Sequence, residues 1–472
     1  MGIKSLSGSL LLFPDRNFIE DMNKTDIYAE EPKSPIPTSE LLAPRSESPG
    51  VSSDPQTADY EKKESENVGS SREGSPDISV GENDYVPGTF EGPEKTMEVV
   101  FHTTIGAPDG LRALTRPQVD RLCTLAKCTI LSKMSNSYMD AYVLSESSLF
   151  IYKHRLIMKT CGTTTLLRCL NALLEYADAL GMELEWVGYS RKNLMFPSAQ
   201  HWPHSSFGDE IQYISSHTKL QDRLKGAGYI LGPITGDHWF VYVADHSHTV
   251  PPCLSLVPPV SPTQSMERTL NMMMFDMAPE VGQLFYQKNV PTGREMTHKS
   301  GIFNLVPGAQ IDETAFTPCG YSMNAILHDA YSTIHITPEP ECSYASFETN
   351  TCLPNYNSMV RNVLGVFRPK RFVLTMFGDE AAIDSIAELP VDPRHYLLPS
   401  VGSYVRTSVA STCVEADLRC IMACYTLETS PLPRASSKAM LPRVASGTDL
   451  AMAEGLLMPS PRLRERGYSC LA

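Results

Sequence analysis

Residues Tyr142–Phe150 read YVLSESSLF, and eleven residues past Phe150 Cys161 opens the run CGTTT. Val143, Leu149 and Ile151 keep the period-two alternation of a half-buried strand. Ser145, Glu146, Ser147 and Ser148 form a polar knot in the middle of that strand, where a purely structural pattern would carry valines. The flanks place Ser147 in extended backbone beside a core rather than at a loop tip.

Outward from this stretch, helical and extended patterns alternate. Pro117 opens a helix with Val119, Leu122 and Leu125 on one face. KCTILSKM (Lys127–Met134) and DAYVLSESSLFIY (Asp140–Tyr152) read as strands. A helix follows CGTTT, with Leu166, Leu167, Leu170, Leu174 and Ala177 at helical spacing and Gly181 as its stop. In the second half HWFVYVADH, YSTIHITPE, ECSYASFE and KRFVLTMFG read as strands, and NSMVRNVLGVF as a helix. Strands outnumber helices and are joined by short turns, which predicts largely antiparallel sheets with helices on their outer faces, an α+β fold.

The chain has 472 residues, of which 42% are apolar and 20% charged, enough for a large core. Residues 1–85 and 431–472 are rich in Ser and Pro and predict disordered extensions around a domain at 86–430. The net charge of −14 argues against nucleic acid or an anionic membrane as partner. The twelve cysteines show no paired zinc spacing, so no metal is expected, and reduced thiols point to the cytosol. No export or lipid-anchor signal is legible: Leu6 stands where myristoylation needs Ser or Thr, and no apolar run has membrane-spanning length.

A serine hydroxyl in strained extended backbone is able to attack the carbonyl before it, here converting the Glu146–Ser147 amide into an ester. Loss of the serine α-proton expels that ester as a carboxylate and leaves dehydroalanine, whose hydrolysis gives a pyruvoyl group. With FEGPEK (Phe90–Lys95), KTCGTT (Lys159–Thr164), PCGYSMN (Pro318–Asn324) and TIHITPEPE (Thr333–Glu341) in order after or before it, YVLSESSLF resembles the eukaryotic S-adenosylmethionine decarboxylase family from about Phe90 to Thr426. The resemblance implies an α/β/β/α sandwich, its two sheets face to face.

It further implies a chain that cuts itself between Glu146 and Ser147, and a pyruvoyl cofactor formed from Ser147. That group does what pyridoxal phosphate does elsewhere: its ketone takes the substrate amine as a Schiff base, and the adjacent amide carbonyl accepts the electrons released with CO₂. Cys161 matches the proton donor to the product carbon, at a predicted helix N-terminus that favours thiolate. Ser322 and His335 match the pair that promotes the cut. Phe90 and Phe316 match the rings around the adenine, Leu144 a further substrate contact, and Glu339 the carboxylate on the ribose. Glu91 and Glu94 match acids near the sulfonium and amine.

By the same resemblance Glu98, Lys159, Glu267, Thr269, Asn271 and Glu348 form an acidic cluster that binds putrescine, with Asn271 where a second acid is expected. Partners are thus S-adenosylmethionine, putrescine, the chain's own two halves, and a second two-chain unit. A catalytically dead relative serving as an allosteric partner is the alternative, but such a protein is expected to lack Ser147, Cys161 or the processing pair, and all are present. A Ser/Cys/His hydrolase lacks a G-x-S-x-G elbow here.

Overall fold

Seventeen strands lie among the residues that the computed structural model describes, 90–103, 108–245, 267–414 and 418–428. Both tail segments, and His246 at the end of HWFVYVADH, fall outside the described residues. The first sheet holds β1 (Lys95–Thr103), β2 (Ile130–Ser135), β3 (Met139–Leu144), β4 (Ser147–Tyr152), β5 (Arg155–Thr160), β6 (Met182–Lys192), β7 (Lys225–Leu231) and β8 (Trp239–Asp245). Its spatial order is β2, β3, β4, β5, β1, β6, β8, β7. The second holds β9 (Arg268–Phe275), β10 (Gln310–Ala315), β11 (Tyr321–Leu327), β12 (Ala330–Thr337), β13 (Tyr344–Thr349), β14 (Arg371–Asp379), β15 (His395–Leu398), β16 (Gly402–Val414) and β17 (Leu418–Leu427). These run β10, β11, β12, β13, β9, β14, β17, β16, β15. The pairings are antiparallel.

Alternation along each strand sorts side chains into layers. In β1, Met97, Val99 and Phe101 pack with Val119 and Leu122 of the helix Arg116–Leu125 and with Leu170 and Leu174 of the helix Leu170–Ala179. In the second sheet Met272, Met274, Met323 and Ile334 face Val360 and Leu364 of the helix Asn357–Phe367. The opposite faces meet each other: Ala141, Phe150 and Ile157 against Ile326 and Tyr331, and Val241 and Val243 against Met273 and Val373. The result is helices, sheet, sheet, helices, the architecture the resemblance implied.

The helices begin and end where their caps allow. Thr115 and Gln118 form a capping box around Pro117. The helix after CGTTT starts later than its apolar spacing predicts, because Leu166–Cys169 form a 3₁₀ turn before it. DAYVLSESSLFIY corrects the sequence reading more seriously: it is two strands, β3 and β4, paired through Leu144↔Ser147 with Ser145 and Glu146 as the turn. Two polar residues between alternating runs satisfy a tight hairpin, and an alternation that resumes after two residues looks unbroken.

Candidate active site

The hairpin turn leaves Ser147 as the first residue of β4, paired with Leu144 on one side and Thr160 on the other. Its φ is +134°, in the region that favours glycine, at a cost of about 1–3 kcal/mol for such backbone. The side chain is 2% exposed, and its hydroxyl has no hydrogen-bond partner. Its predecessor is gripped. The carbonyl oxygen of Glu146 accepts from the Cys161 backbone N–H at 2.9 Å, and the Cys161 thiol lies at 3.4 Å from the same oxygen.

The thiol also faces the Glu146 carboxyl, 3.7 Å from Oε2. Burial, then the neighbouring Glu146 and Glu94 carboxyls, push the Cys161 thiol well above its ordinary value, against the pull of Lys95. This corrects the thiolate expected at a helix N-terminus: the 3₁₀ turn begins only at Leu166, and Cys161 sits in a dry layer. Glu146 itself is raised to about 7, by burial first. Gly162, with φ +63°, completes the turn where a Cβ would meet the Phe90 ring at 3.2 Å and Glu146 Oε2 at 3.4 Å. Phe90 therefore lies against the Cys161 turn.

Across the inter-sheet layer, Ser322 and His335 are directly opposed on β11 and β12, and Ser322 Oγ is 2.9 Å from His335 Nδ1. The sequence put these two together, but the contact to the hairpin comes from the residue next to Ser147. Ser148 Oγ lies 3.1 Å from His335 Nε2, 3.0 Å from Thr333 Oγ1, and donates to Asn324 Oδ1 at 2.6 Å. Burial, with Lys159 adding to it, holds the imidazole down at about 3, so the ring is neutral.

The acids of FEGPEK fold over this layer. Glu91 Oε2 accepts from the backbone N–H groups of Met195 and Phe196 at 2.7 and 2.9 Å, while its Oε1 is buried without a partner. Burial raises Glu91 above the usual carboxylate range in spite of those bonds. Glu94 accepts from Tyr344 at 2.9 Å and from Ser346, which is paired with His335 across β12 and β13. Lys95 Nζ donates to Gly162 O at 2.9 Å and to Gln200 Oε1 at 3.0 Å, tying down the turn that carries Cys161. Glu339 keeps a buried Oε2 without a partner, and burial and then its carboxylate push the Cys319 thiol to about 12. Phe316 joins the same corner, packed on Gly320. Leu144 is buried in the first sheet's helix-side core and meets the site through its pairing with Ser147.

These residues lie within the segment, residues 87–426, that matches the family model described as adenosylmethionine decarboxylase. The chain belongs to that family. The S-adenosylmethionine decarboxylase proenzyme of Dictyostelium discoideum is 41% identical over 311 residues, covering 64% of this chain and 77% of that one. The proenzyme of the same name from Xenopus laevis is 40% identical over 299 residues, covering 62% and 84%. The solved Trypanosoma brucei AdoMetDC-delta26 monomer is 29% identical over 59% of this chain and 99% of its own, with a TM-score of 0.43. Membership makes the chain a decarboxylase of this family.

The decarboxylase's second cluster also assembles. Glu98, Thr269, Asn271 and Glu348 line one cavity of about 60 Å³ between the sheets, and Asn271 is paired with Glu348 across β9 and β13. Its carboxylates already have cations: Arg155 bridges Glu98 and Glu267, and Lys159 Nζ meets Glu348 Oε2 at 2.5 Å. Tyr331 donates to Glu348 as well, at 2.8 Å. Burial raises Glu98 to about 7, with Arg155 opposing. Among the described residues no group of His, Cys, Asp and Glu has metal-binding geometry. Sequence reasoning missed Ser148, Asn324, Thr333 and Arg155, although all share the inward parity of residues it named. Gln200 carried no signal, since it reaches Lys95 from 105 residues away.

Proposed function

We propose that this chain cuts itself between Glu146 and Ser147, and that the resulting two chains decarboxylate S-adenosylmethionine to S-adenosylmethioninamine, an aminopropyl donor for spermidine and spermine. The observation that carries this is the pairing of an orphaned Ser147 hydroxyl in left-handed backbone with a Glu146 carbonyl already held by an N–H. Attack of Ser147 Oγ on the Glu146 carbonyl carbon places negative charge on the oxygen that Cys161 N–H faces at 2.9 Å. The C–N bond breaks, the hydroxyl proton goes to the freed amine, and the ester releases the backbone strain at Ser147. The neutral His335 then takes the Ser147 α-proton as Glu146 leaves as a carboxylate. Water hydrolyses the dehydroalanine, with loss of ammonia, to the pyruvoyl terminus.

The residues present fit that group, because the hydroxyl that gives rise to it is buried and unpartnered beside them. When formed, it supplies a sink for the electrons left by CO₂. Cys161, kept protonated by burial and by Glu146 and Glu94, holds the proton that the product carbon needs. Glu91, with its unpartnered oxygen, supplies negative charge for a cationic substrate. Phe90 and Phe316 offer π-faces to a purine, and the free oxygen of Glu339 accepts from ribose hydroxyls. Purified protein should run as two chains on a denaturing gel, with intact masses that place the cut after Glu146, and Ser147→Ala should remain one chain without activity. Decarboxylation by a preparation that stays a single intact chain overturns the proposal.

A further inference from the structure

The hydroxyls and amide packed around His335 have no part in the reading so far, yet their hydrogens are countable. Ser148 and Asn324 are fully buried and Thr333 nearly so, which leaves no bulk water to make up a missing bond. Asn324 Nδ2 donates to Tyr142 O at 2.9 Å, and a carbonyl only accepts, so the amide's orientation is fixed with Oδ1 toward Ser148. Ser148 spends its one hydrogen on that Oδ1, at 2.6 Å. Thr333 has two acceptors besides the ring for its one hydrogen, Met323 O at 3.1 Å and Ser148 Oγ at 3.0 Å. With Thr333's hydrogen on either of these, both hydroxyls have only lone pairs left for His335 Nε2, which lies 2.9 Å from Thr333 and 3.1 Å from Ser148.

We infer that His335 carries its hydrogen on Nε2, shared between Thr333 and Ser148, which makes Nδ1 the basic nitrogen and Thr333, Ser148 and Asn324 positioning residues of the self-cleavage. Nδ1 accepts from Ser322 Oγ at 2.9 Å in this arrangement. The whole lock lies on the inward faces of three strands: Ser148 on β4, Asn324 on β11 and Thr333 on β12, the last two directly paired. It thus joins the strand that carries Ser147 to the strand that carries the base. The inference rests on the reading of His335 as the base for the cut.

The test has two arms. In the full chain carrying Ser147→Ala, which stays uncut, ¹⁵N-histidine labelling reads the His335 tautomer directly, assigned by the signal lost in His335→Gln. A protonated Nε2 and bare Nδ1 are expected, with a mixture of tautomers when Thr333→Val is added; a protonated Nδ1 overturns the inference. In the cleaving chain, Thr333→Val should slow spontaneous cutting by at least about tenfold, a fraction of what a general base contributes. Ester formation does not use His335, so ester should accumulate. Hydroxylamine, whose nitrogen takes the Glu146 acyl group and frees the Ser147 oxygen, should restore cutting, and Thr333→Ser should cut near the parent rate. Parent-rate cutting by Thr333→Val overturns the inference. A parent chain that never cuts overturns the proposed function instead, and the tautomer measurement still decides this point.

Discussion

Replacing Cys161 by alanine should separate the two reactions that share this site. Glu146 O has two neighbours on Cys161, the backbone N–H at 2.9 Å and the thiol at 3.4 Å. The substitution leaves the first untouched. Loss of a strong oxyanion donor costs about 10²–10³ in rate, but a thiol is a weak donor and the distance is long, so cutting should slow by about tenfold at most. Turnover loses its proton source, a general acid worth about 10²–10⁴. The expected signature is therefore turnover, counted per cut molecule, falling at least about tenfold more than cutting does. A gel time course measures the cut, and CO₂ release from carboxyl-labelled substrate measures turnover. Intact mass after turnover should show the pyruvoyl terminus converted to alanine, because a proton delivered to the wrong carbon moves the substrate's amine onto the protein. Equal losses in both reactions, or normal turnover without inactivation, would refute the assignment and return Cys161 to a packing role.

Two further outcomes follow from charge. Because His335 is held at about 3, a fall from about pH 8 to 5 should not protonate it, whereas an ordinary imidazole changes state near 6.5. Glu146, raised to about 7, becomes neutral on acidification, which removes negative charge beside the attacked carbonyl, so any limb near 7 should be a rise in cutting rate as pH falls; a decline through 6.5, followed on gels of freshly made chain, contradicts this. Regulation should be weak, since Arg155 and Lys159 already pair Glu98, Glu267 and Glu348 and Asn271 offers only an amide. Activity should change little across a putrescine series at fixed substrate and salt, and Asn271→Glu should raise the stimulation; strong stimulation of the parent, abolished by Glu98→Gln, shows that the missing acid is dispensable.

What the sequence by itself determined was parity and adjacency. Alternation placed His335 in a strand, a motif singled out Ser322, and the strand pairing sets the two face to face. It also turned Glu98, Lys159, Asn271 and Glu348 inward, because their apolar neighbours Met97, Met158, Met272 and Phe347 take the helix-side cores. The motifs carried the chemistry and the family. Only the tertiary structure decided which atoms meet, since contacts between strands far apart in the chain depend on register and sheet packing, which local pattern does not encode. Ser147 entered the sequence reading as a serine in strained extended backbone within one continuous strand, but it is the hairpin that bends the backbone there and gives it a left-handed φ. Cys161 read as a helix-start thiolate, yet dehydration and two carboxyls keep its proton on. The hydrogens on Ser148 and Asn324 are committed by partners up to 182 residues away, and so the tautomer of His335 belongs to the packed layer rather than to any motif.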